Sequence, residues 1–342
     1  MSYLTGVLNP EGYHGEGQPA PFFEGWYIKL QEAGGSTLAL IPGLFRGERE
    51  QYAFVQIVDG ARREVTMHHF PTSAFSAAAD RFDVRIGDNR FSSEGVELAL
   101  PEAQAQGSIR FGALTPWPVR WRAPGAMGWY GWMPMLQCYH GIVSLDHDLE
   151  GALTVAGDQR DFTGGKGYIE KDWGSSFPTY HVWLQCNRFE RRGDCLTVSL
   201  ARIPWFGGSF QGFIIGVYAQ GELHRFTTYT GARVTRMHCA PQQIACAVED
   251  HRHRLEFEAR QGDTLDVLGP TGTGVNRVIV EALDGPVSFR LYRKDARGDV
   301  LLAEGSSSHG SLELQGSQTE LDSLQHGRWR RDAVPHRPER SS

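Results

Sequence analysis

Residues 170–172 place an acid, a base and an acid in a row, within the stretch GYIEKDWGSSFPTYHVWLQCNRFE. On an extended strand Glu170 and Asp172 share one face, with Lys171 between them. Carboxyl groups in such a cluster can donate and accept protons, and a neighbouring ammonium group tunes their pKa values. A salt-bridge cluster on the surface uses the same residue types, so the residues alone leave both interpretations open.

A second carboxyl group stands next to a tryptophan in FFEGWYIKL, where strand alternation places Glu24, Trp26 and Ile28 on one side. In a cavity, an apolar neighbour disfavours the ionised carboxylate. The pKa of Glu24 would then rise, and the group could remain a proton donor. Glu24 is therefore a candidate acid beside Glu170 and Asp172.

The strand expected after the acidic cluster has one aromatic and polar face. If residues 180–189 are extended, that face carries His181, Trp183, Gln185, Asn187 and Phe189. Amide groups both donate and accept hydrogen bonds, so the face suits a cavity wall that holds the polar head group of an apolar ligand. The alternative is a solvent-exposed face around a buried tryptophan.

The segment 115–151 is rich in large aromatic side chains, namely Trp117, Trp121, Trp129, Tyr130, Trp132 and Tyr139. Aromatic faces stabilise a nearby cation by about 0.5–2 kcal/mol each, which suits the wall or lid of a pocket. Trp129 and Trp132 are then candidate substrate contacts. The alternative is an inter-domain linker that these side chains pack. His140 could act as an acid–base group or serve as a structural histidine.

Signatures of several enzyme classes are absent. The sequence has no GxGxxG, GxxxxGK[ST], HExxH or GxSxG motif, so nucleotide-dependent and serine-hydrolase chemistry have no support. Five cysteines without a CxxC pair predict free or buried thiols, and no zinc site is expected. The sequence thus predicts a protein that needs no cofactor and no metal.

Composition narrows the class further. The 342 residues are 40% hydrophobic and 22% charged, so the chain is globular and long enough for about two domains. A net charge of −6 with scattered basic residues argues against a nucleic-acid partner. No signal peptide, transit peptide or transmembrane segment is recognisable, which predicts a cytoplasmic protein in peripheral contact with a membrane at most. The oligomeric state is left open.

Short apolar runs rich in β-branched and aromatic residues, separated by turn residues, predict an all-β fold of mainly antiparallel strands. Examples are STLALIPGLF, YAFVQIV, CLTVSLARI and NRVIVEAL. Short helices are predicted at residues 73–83 and 319–325.

Two parts of the chain resemble each other. GWYIKLQEAGGSTLALIPGLF begins at Gly25 and VWLQCNRFERRGDCLTVSLARIPWF at Val182, which aligns Trp26 with Trp183. The match indicates an internal duplication into two similar β-barrel or β-sandwich domains, and such folds can hold an apolar ligand.

The duplication sets the predicted domain boundaries. An N-terminal domain covers residues 1–160, including the aromatic segment 115–139, and a C-terminal domain covers residues 161–325. Residues 326–342 are arginine-rich, bury little, and are predicted to form a disordered tail.

Four segments together resemble the tocopherol cyclase family: FFEGWYIKL, PGAMGWYGWMPMLQCYHGIVSLDHDLEG, GYIEKDWGSSFPTYHVWLQCNRF and RVIVEALDG. The resemblance implies two lipocalin-like β domains and a hydrophobic substrate, a prenylated quinol or related isoprenoid. It also implies that a prenylated hydroquinone closes to a chromanol. The prenyl double bond is protonated, and the phenol oxygen captures the tertiary carbocation without a metal or redox cofactor.

The resemblance also assigns residues. The EGWY motif corresponds to Glu24, Trp26 and Tyr27, and the EKxWG motif to Glu170, Lys171, Asp172, Trp173 and Gly174. The following strand corresponds to Trp183, Gln185 and Asn187, and the middle block to Tyr139 and His140. His181 joins the candidate substrate contacts through the strand face described above.

Plant members of the family usually carry Asn where this sequence has Asp172, which adds an acid. The implied acid is Asp172 or Glu24, with Glu170 and His140 as further catalytic candidates. Lys171 is expected to tune a pKa or contact the head group. The phenol is expected to bind two amides, those of Gln185 and Asn187.

Two alternatives stay open at this point. One is a different enzyme on the same scaffold, such as an alkene hydratase or pericyclase. The other is a lipocalin-like carrier of lipids or quinones without catalysis.

Overall fold

Turn-separated runs of β-branched and aromatic residues form strands along most of the chain. The computed structural model describes residues 3–205, 207–324 and 330–331. The first twelve strands are β1 (Phe22–Gln31), β2 (Thr37–Arg46), β3 (Gln51–Asp59), β4 (Glu64–Phe70), β5 (Phe75–Ala77), β6 (Asp83–Ile86), β7 (Asn89–Ser92), β8 (Gly95–Leu100), β9 (Ala105–Phe111), β10 (Cys138–Val155), β11 (Asp158–Asp161) and β12 (Lys166–Gly174).

The later strands are β13 (His181–Cys186), β14 (Cys195–Trp205), β15 (Gly208–Ala219), β16 (Glu222–Thr227), β17 (Arg233–Ala240), β18 (Gln243–Glu249), β19 (His253–Arg260), β20 (Thr264–Thr271), β21 (Gly274–Ala282), β22 (Val287–Arg293), β23 (Val300–Ser307), β24 (Ser311–Gln315) and β25 (Arg330–Arg331). The helices are α1 (Tyr3–Leu8) and α2 (Gln318–Ser323), with 3₁₀ turns at Thr72–Ala74, Pro101–Ala103, Gly128–Trp132 and Thr228–Thr230.

These strands form three antiparallel sheets. The first contains β1 to β12, in the order β4-β3-β2-β1-β12-β10-β9-β8-β7-β6-β5, with β11 beside β10. The second has the order β16-β15-β14-β13-β24-β21-β20, with β25 beside β15, and the third β17-β18-β19-β22-β23. The all-β prediction is confirmed. Within the described residues no sheet closes on itself, so the domains are open sheets and not closed barrels.

Each half of the molecule has its own apolar core. In the first sheet, strands β1 to β3 meet strands β6 to β9 around Trp26, Leu40 and Phe91. The second core lies between the second and third sheets, around Leu184 and Phe257. Alternation produces both cores, because one face of each strand is apolar, and burying one such leucine or phenylalanine stabilises the fold by about 1.5–3 kcal/mol.

The two halves also pack against each other. Strands β20 and β21 lie against β1 to β3, with Val267 next to Val58 and Val275 next to Phe54 in two smaller apolar clusters. Strands β1 to β3 are therefore buried on both faces. One face meets the first core and the other meets the second half of the chain.

Four consecutive strands follow the same order in each half, whereas the internal duplication itself stays a prediction. The row β4-β3-β2-β1 lies beside β12, and the row β16-β15-β14-β13 lies beside β24. The packing does not match the alignment of Trp26 with Trp183, however. Trp26 faces the first core, whereas Trp183 packs between the halves together with Tyr27.

The chain passes from the first to the second sheet between Gly174 and His181. Strand β12 therefore belongs to the first sheet although it follows residue 160, and the division into domains stays a prediction. The predicted tail, residues 326–342, lies outside the described residues apart from Arg330–Arg331, which pair with β15.

One of the two predicted helices is wrong. Residues 73–83 include the end of a 3₁₀ turn and strand β5, because Phe75 pairs with Ile86 across β5 and β6 and this pairing overrides the helix propensity of the alanines. The second is confirmed as α2, whose Ser317 and Glu320 form a capping box. Across the described residues, no helix has the length and apolar character needed to cross a membrane.

Candidate active site

A cavity of about 180 Å³ lies between the two halves. Most of its wall is apolar, including Phe23, Tyr27, Ile41, Phe54, Tyr130, Leu136, Phe177, Trp183, Ile203, Phe213, Val267 and Ile279. Titratable side chains enter it in two groups. We call His140, Glu170 and Asp172 the Glu170 cluster, and Tyr27, His181, Glu281 and Glu313 the Glu281 cluster.

Strands β1 and β12 present alternate side chains to the cavity and to the first core. Tyr27 of β1 and Glu170 of β12 are register partners on the cavity face. Trp26 and Lys171, one residue along each strand, are register partners on the core face, where the ammonium group lies 4.9 Å from the indole ring. Neighbouring residues of one strand thus enter two different environments.

The Glu170 cluster is held by side chains from three strands. His140 of β10 and Asp172 of β12 are register partners, and the His140 Nδ1 to Asp172 Oδ1 distance is 3.0 Å. The Tyr168 hydroxyl and the Trp183 indole N–H donate to Glu170 Oε2 at 2.5 and 2.8 Å. His140 Nε2 lies 3.8 Å from the same oxygen and has no hydrogen-bond partner among the described residues.

The pKa values of Glu170 and His140 in this cluster are both raised. Burial raises the pKa of Glu170 to about 7, although the charge of His140 opposes the shift. Burial alone would lower the pKa of His140, but the carboxylates of Asp172 and Glu170 raise it to about 9. At neutral pH His140 is therefore charged, while Glu170 exists both as an acid and as a carboxylate.

The Glu281 cluster faces the same cavity from the second sheet. The Tyr27 hydroxyl donates to Glu281 Oε1 at 2.5 Å, and His181 Nε2 lies 2.9 Å from Glu313 Oε2. Glu281 and Glu313 are register partners on β21 and β24. Burial, followed by the charge of Glu313, raises the pKa of Glu281 well above its usual value.

Glu24 lies outside this cavity, contrary to the prediction. Its carboxylate is fully buried in the first half, 2.5 Å from the Lys171 ammonium group, and accepts hydrogen bonds from the backbone N–H of His14 at 2.9 and 3.0 Å. Burial acts to raise the pKa of Glu24, but Lys171 and His14 outweigh it, so the pKa is lowered instead of raised. The Lys171 ammonium group also lies 4.5 Å from the Trp173 ring. We call His14, Glu24 and Lys171 the Glu24 cluster.

Gln185 and Asn187 are not cavity residues either. Gln185 Oε1 accepts from the buried Lys29 ammonium group at 3.0 Å, and Asn187 donates to Asp146 Oδ1 at 3.1 Å and to the Gly167 carbonyl at 2.8 Å. Both amides thus hold β13 against the first sheet. Gln185 shares its strand face with His181 and Trp183, as predicted, while Asn187 follows the end of β13. Of these four residues only His181 and Trp183 line the cavity.

The aromatic segment contributes part of the wall. Tyr130 and Leu136 line the cavity. Trp129 stacks on Tyr130 from outside at 4.0 Å and is 44% exposed, so it does not line the cavity. Trp132 packs beside Trp121, which is 64% exposed.

Tyr139 and Trp173 stack on each other with centroids 5.3 Å apart, behind the cavity wall. Together with Trp26, Trp129 and Trp132, they were predicted to contact the substrate, but they lie outside the lining.

The donor atoms of His140, Glu170 and Asp172 lie within 4.8 Å of one another, a spacing that a divalent cation could bridge. The absence of a metal and of a cofactor from the reaction therefore stays a prediction. The five cysteines are free thiols, as predicted.

Sequence reasoning missed Tyr168, Glu281 and Glu313. Glu281 carries a usable signal, because it is the one acid inside the apolar run VIVEAL. Glu313 likewise stands between two leucines of β24. A lone acid in such a run is costly to bury without a partner, so it marks a candidate polar site.

Comparison with known proteins decides the family. The family model described as tocopherol cyclase-like matches residues 105–316, more than half of the chain. The chain belongs to this family. The matched region contains the whole Glu170 cluster and, apart from Tyr27, the whole Glu281 cluster.

Two plant proteins are similar to this tocopherol cyclase-like chain at low sequence identity. The probable chloroplastic tocopherol cyclase of Oryza sativa subsp. japonica is 21% identical over 89% of this chain and 77% of its own length. The chloroplastic tocopherol cyclase of Zea mays is 24% identical over 55% of this chain and 41% of its own length. These similarities support a cyclase-type enzyme.

A solved structure shows the fold. CghA, in its crystal structure with Sch210972, is 11% identical, and the match covers 87% of this chain and 89% of CghA with a TM-score of 0.52. At this identity the likeness is one of fold alone, and it confirms the lipocalin-like all-β architecture of this tocopherol cyclase-like chain.

Proposed function

We propose that this protein closes a prenylated hydroquinone, such as a phytyl hydroquinone, to a chromanol. One observation carries the proposal: the carboxyl group of Glu170, whose pKa burial raises to about 7, faces an apolar cavity. At neutral pH such a group is partly an uncharged acid that can give up its proton. Membership of the tocopherol cyclase-like family supports the same class of reaction.

In this mechanism Glu170 donates its proton to the double bond of the prenyl chain. The tertiary carbocation forms beside Tyr27 and Trp183, whose rings pack edge to face at 5.2 Å in the cavity wall. Each aromatic face stabilises such a cation by about 0.5–2 kcal/mol. The phenol oxygen then bonds to the cation, its O–H bond breaks, and the released proton returns to the Glu170 carboxylate. Protons therefore balance over the cycle.

His140 and Asp172 make the proton transfer less costly. Once Glu170 is a carboxylate, it faces the charged imidazole of His140, whose Nε2 lies 3.8 Å away. Asp172 holds that imidazole through Nδ1 at 3.0 Å and keeps it protonated. A fixed positive charge in an apolar surrounding stabilises the anion that develops during the reaction.

The apolar wall has a chemical role as well. Water that reached the carbocation would add to it, leaving a hydrated side chain instead of a ring. Phe177, Ile203 and Phe213 surround the polar clusters with side chains that offer water no hydrogen bonds. A hydrophobic substrate follows from the same lining, whereas contact of the protein with a membrane stays a prediction.

The test is incubation of the purified protein with a phytyl hydroquinone under reducing conditions, followed by chiral chromatography and mass spectrometry. We expect one chromanol enantiomer of unchanged mass. A product heavier by one water would identify a hydratase, and saturable binding without product would identify a carrier. Either result would overturn the proposal. A parallel reaction with a chelator decides whether a metal takes part, and we expect no change.

A further inference from the structure

The Glu281 cluster has no role in the acid step described above, yet it lines the same cavity. Glu281 is fully buried, and its Oε2 atom has no hydrogen-bond partner among the described residues. A buried carboxyl oxygen without a partner costs free energy unless a ligand or water satisfies it. This atom therefore points to a bound group that completes the site.

The two acids of this cluster have different hydrogen-bond partners. Register pairing places Glu281 and Glu313 side by side, and two carboxylates at that spacing do not both ionise readily. His181 Nε2 lies 2.9 Å from Glu313 Oε2, so this oxygen of Glu313 already has a partner within the protein. Glu281 has the neutral Tyr27 hydroxyl as its partner and is left as the protonated member.

The protonated acid of Glu281 and a carboxyl oxygen of Glu313 side by side offer one donor and one acceptor. A hydroxyl group is the ligand with the matching pair, since its oxygen accepts one hydrogen bond while its proton is donated in another. A quinone carbonyl only accepts, and an ether oxygen has no proton to donate. The pair is therefore selective for a hydroxyl group over both.

Tyr27 and Trp183 connect this pair to the acid cluster. Tyr27 is the register partner of Glu170 but donates its hydrogen bond to Glu281. Trp183 is the register partner of Glu313 but donates to Glu170. A ligand whose hydroxyl group lies at the Glu281 pair would thus have its carbon chain against these two rings, next to the proton donor.

We propose that Glu281 and Glu313 bind a hydroxyl group of the substrate. Glu281 donates a hydrogen bond to the hydroxyl oxygen, and Glu313 accepts a hydrogen bond from the hydroxyl group. The assignment rests on the proposed function and names the head group that the cavity recognises, a phenol or another alcohol. It replaces the amides of Gln185 and Asn187, which contact other protein groups. The pair selects the reduced hydroquinone over the oxidised quinone.

Binding is measured by calorimetry with three probes that cannot cyclise: a hydroquinone with a saturated phytanyl chain, its quinone and its dimethyl ether. We expect the wild type to prefer the hydroquinone over the other two by about tenfold or more, as hydrogen bonds to a charged group allow. Glu281→Gln retains a donor and should keep the preference, whereas Glu281→Leu should abolish it. Glu258→Gln, on the exposed face of β19, is the matched control and should behave as wild type.

A folded Glu281→Leu variant that kept the full preference would overturn the proposal. If that variant does not fold, Glu313→Leu decides, because it removes the acceptor and an unchanged preference there would also overturn the proposal. The probes do not react, so the result is independent of turnover. A protein that discriminates the hydroquinone without converting phytyl hydroquinone would disprove the proposed function and leave this site standing. Conversion of phytyl hydroquinone by a protein that does not discriminate among the three probes would disprove this site and leave the proposed function standing.

Discussion

Glu24 and Glu170 are both buried glutamates on neighbouring strands, and they differ in what lies beside them. Glu24 contacts an ammonium group at 2.5 Å on the core face of β1. Glu170 lies on the cavity face of β12, 3.8 Å from the Nε2 atom of a histidine whose other nitrogen is already engaged by Asp172. Burial acts to raise both pKa values, yet the net shift lowers the first and raises the second to about 7.

The difference teaches that the distance to the cation separates a structural carboxylate from a potential acid. Glu24 contacts its own ammonium group at 2.5 Å, whereas Glu170 lies 3.8 Å from a histidine that Asp172 already holds. A buried ion pair at short range keeps its carboxylate ionised and contributes to the fold. A buried carboxyl group with only partial compensation keeps its proton near neutral pH, which is the state that acid catalysis needs. Sequence position alone does not distinguish the two glutamates. Lys171 directly follows Glu170 in the sequence, yet its ammonium group pairs with Glu24.

The largest expected effect comes from Glu170→Gln. Removal of the proton donor should lower kcat/KM for ring closure by about 10²–10⁴-fold, the usual contribution of a general acid. The free energy of unfolding at pH 7 should not fall. The raised carboxyl pKa opposes folding as pH rises from the model-peptide value of 4.5 to about 7, and an amide does not titrate. Turnover within a few fold of wild type would remove Glu170 from the mechanism.

The counterpart on the core face is Lys171→Met. It leaves the Glu24 carboxylate buried without its ammonium partner, which typically costs about 3–5 kcal/mol of folding free energy. Urea unfolding measures this loss. The double variant Glu24→Gln/Lys171→Met should recover part of it, since no uncompensated charge remains. If Lys171→Met unfolded at the wild-type urea concentration, the ion pair would not be the stabilising element described here.

The smallest effect separates Glu170 from His140 as the proton donor. A donor acts in its protonated form, so activity is present below its pKa and is lost as pH rises through that value. With Glu170 at about 7, kcat/KM should fall about fivefold between pH 7 and pH 8. A rate that held steady to pH 8 and fell near 9 would instead assign the donor role to His140.

Much of the architecture was predictable from local pattern. Apolar alternation and turn residues located several strands, among them β2, β3, β14 and β21, since these signals act within a few residues. The helix predicted at residues 73–83 failed because strand pairing between β5 and β6, a tertiary contact, outweighed local propensity. The aromatic segment was correctly associated with the cavity, but only its inward side chains, such as Tyr130, line it.

The candidate site was predictable in part. Period-two alternation puts Glu170 and Asp172 on one face, and the structure brings His140 to that face through the register of β10. The acids Glu281 and Glu313 lie more than a hundred residues further along the chain. No local pattern relates them to Tyr27, which contacts Glu281 across the two halves.

By itself, the amino-acid sequence determined the antiparallel strands, the helix at α2, the family, and the separation of residues 170–172 onto opposite faces. Only the tertiary structure decided which face became a cavity and which a core. The physical reason is that β1 and β12 are buried on both sides, so both of their faces carry apolar side chains. Alternation then shows that each strand has two faces, but it does not show what covers each face. Packing of the second half of the chain against the first decides which face lines the cavity and which faces the core.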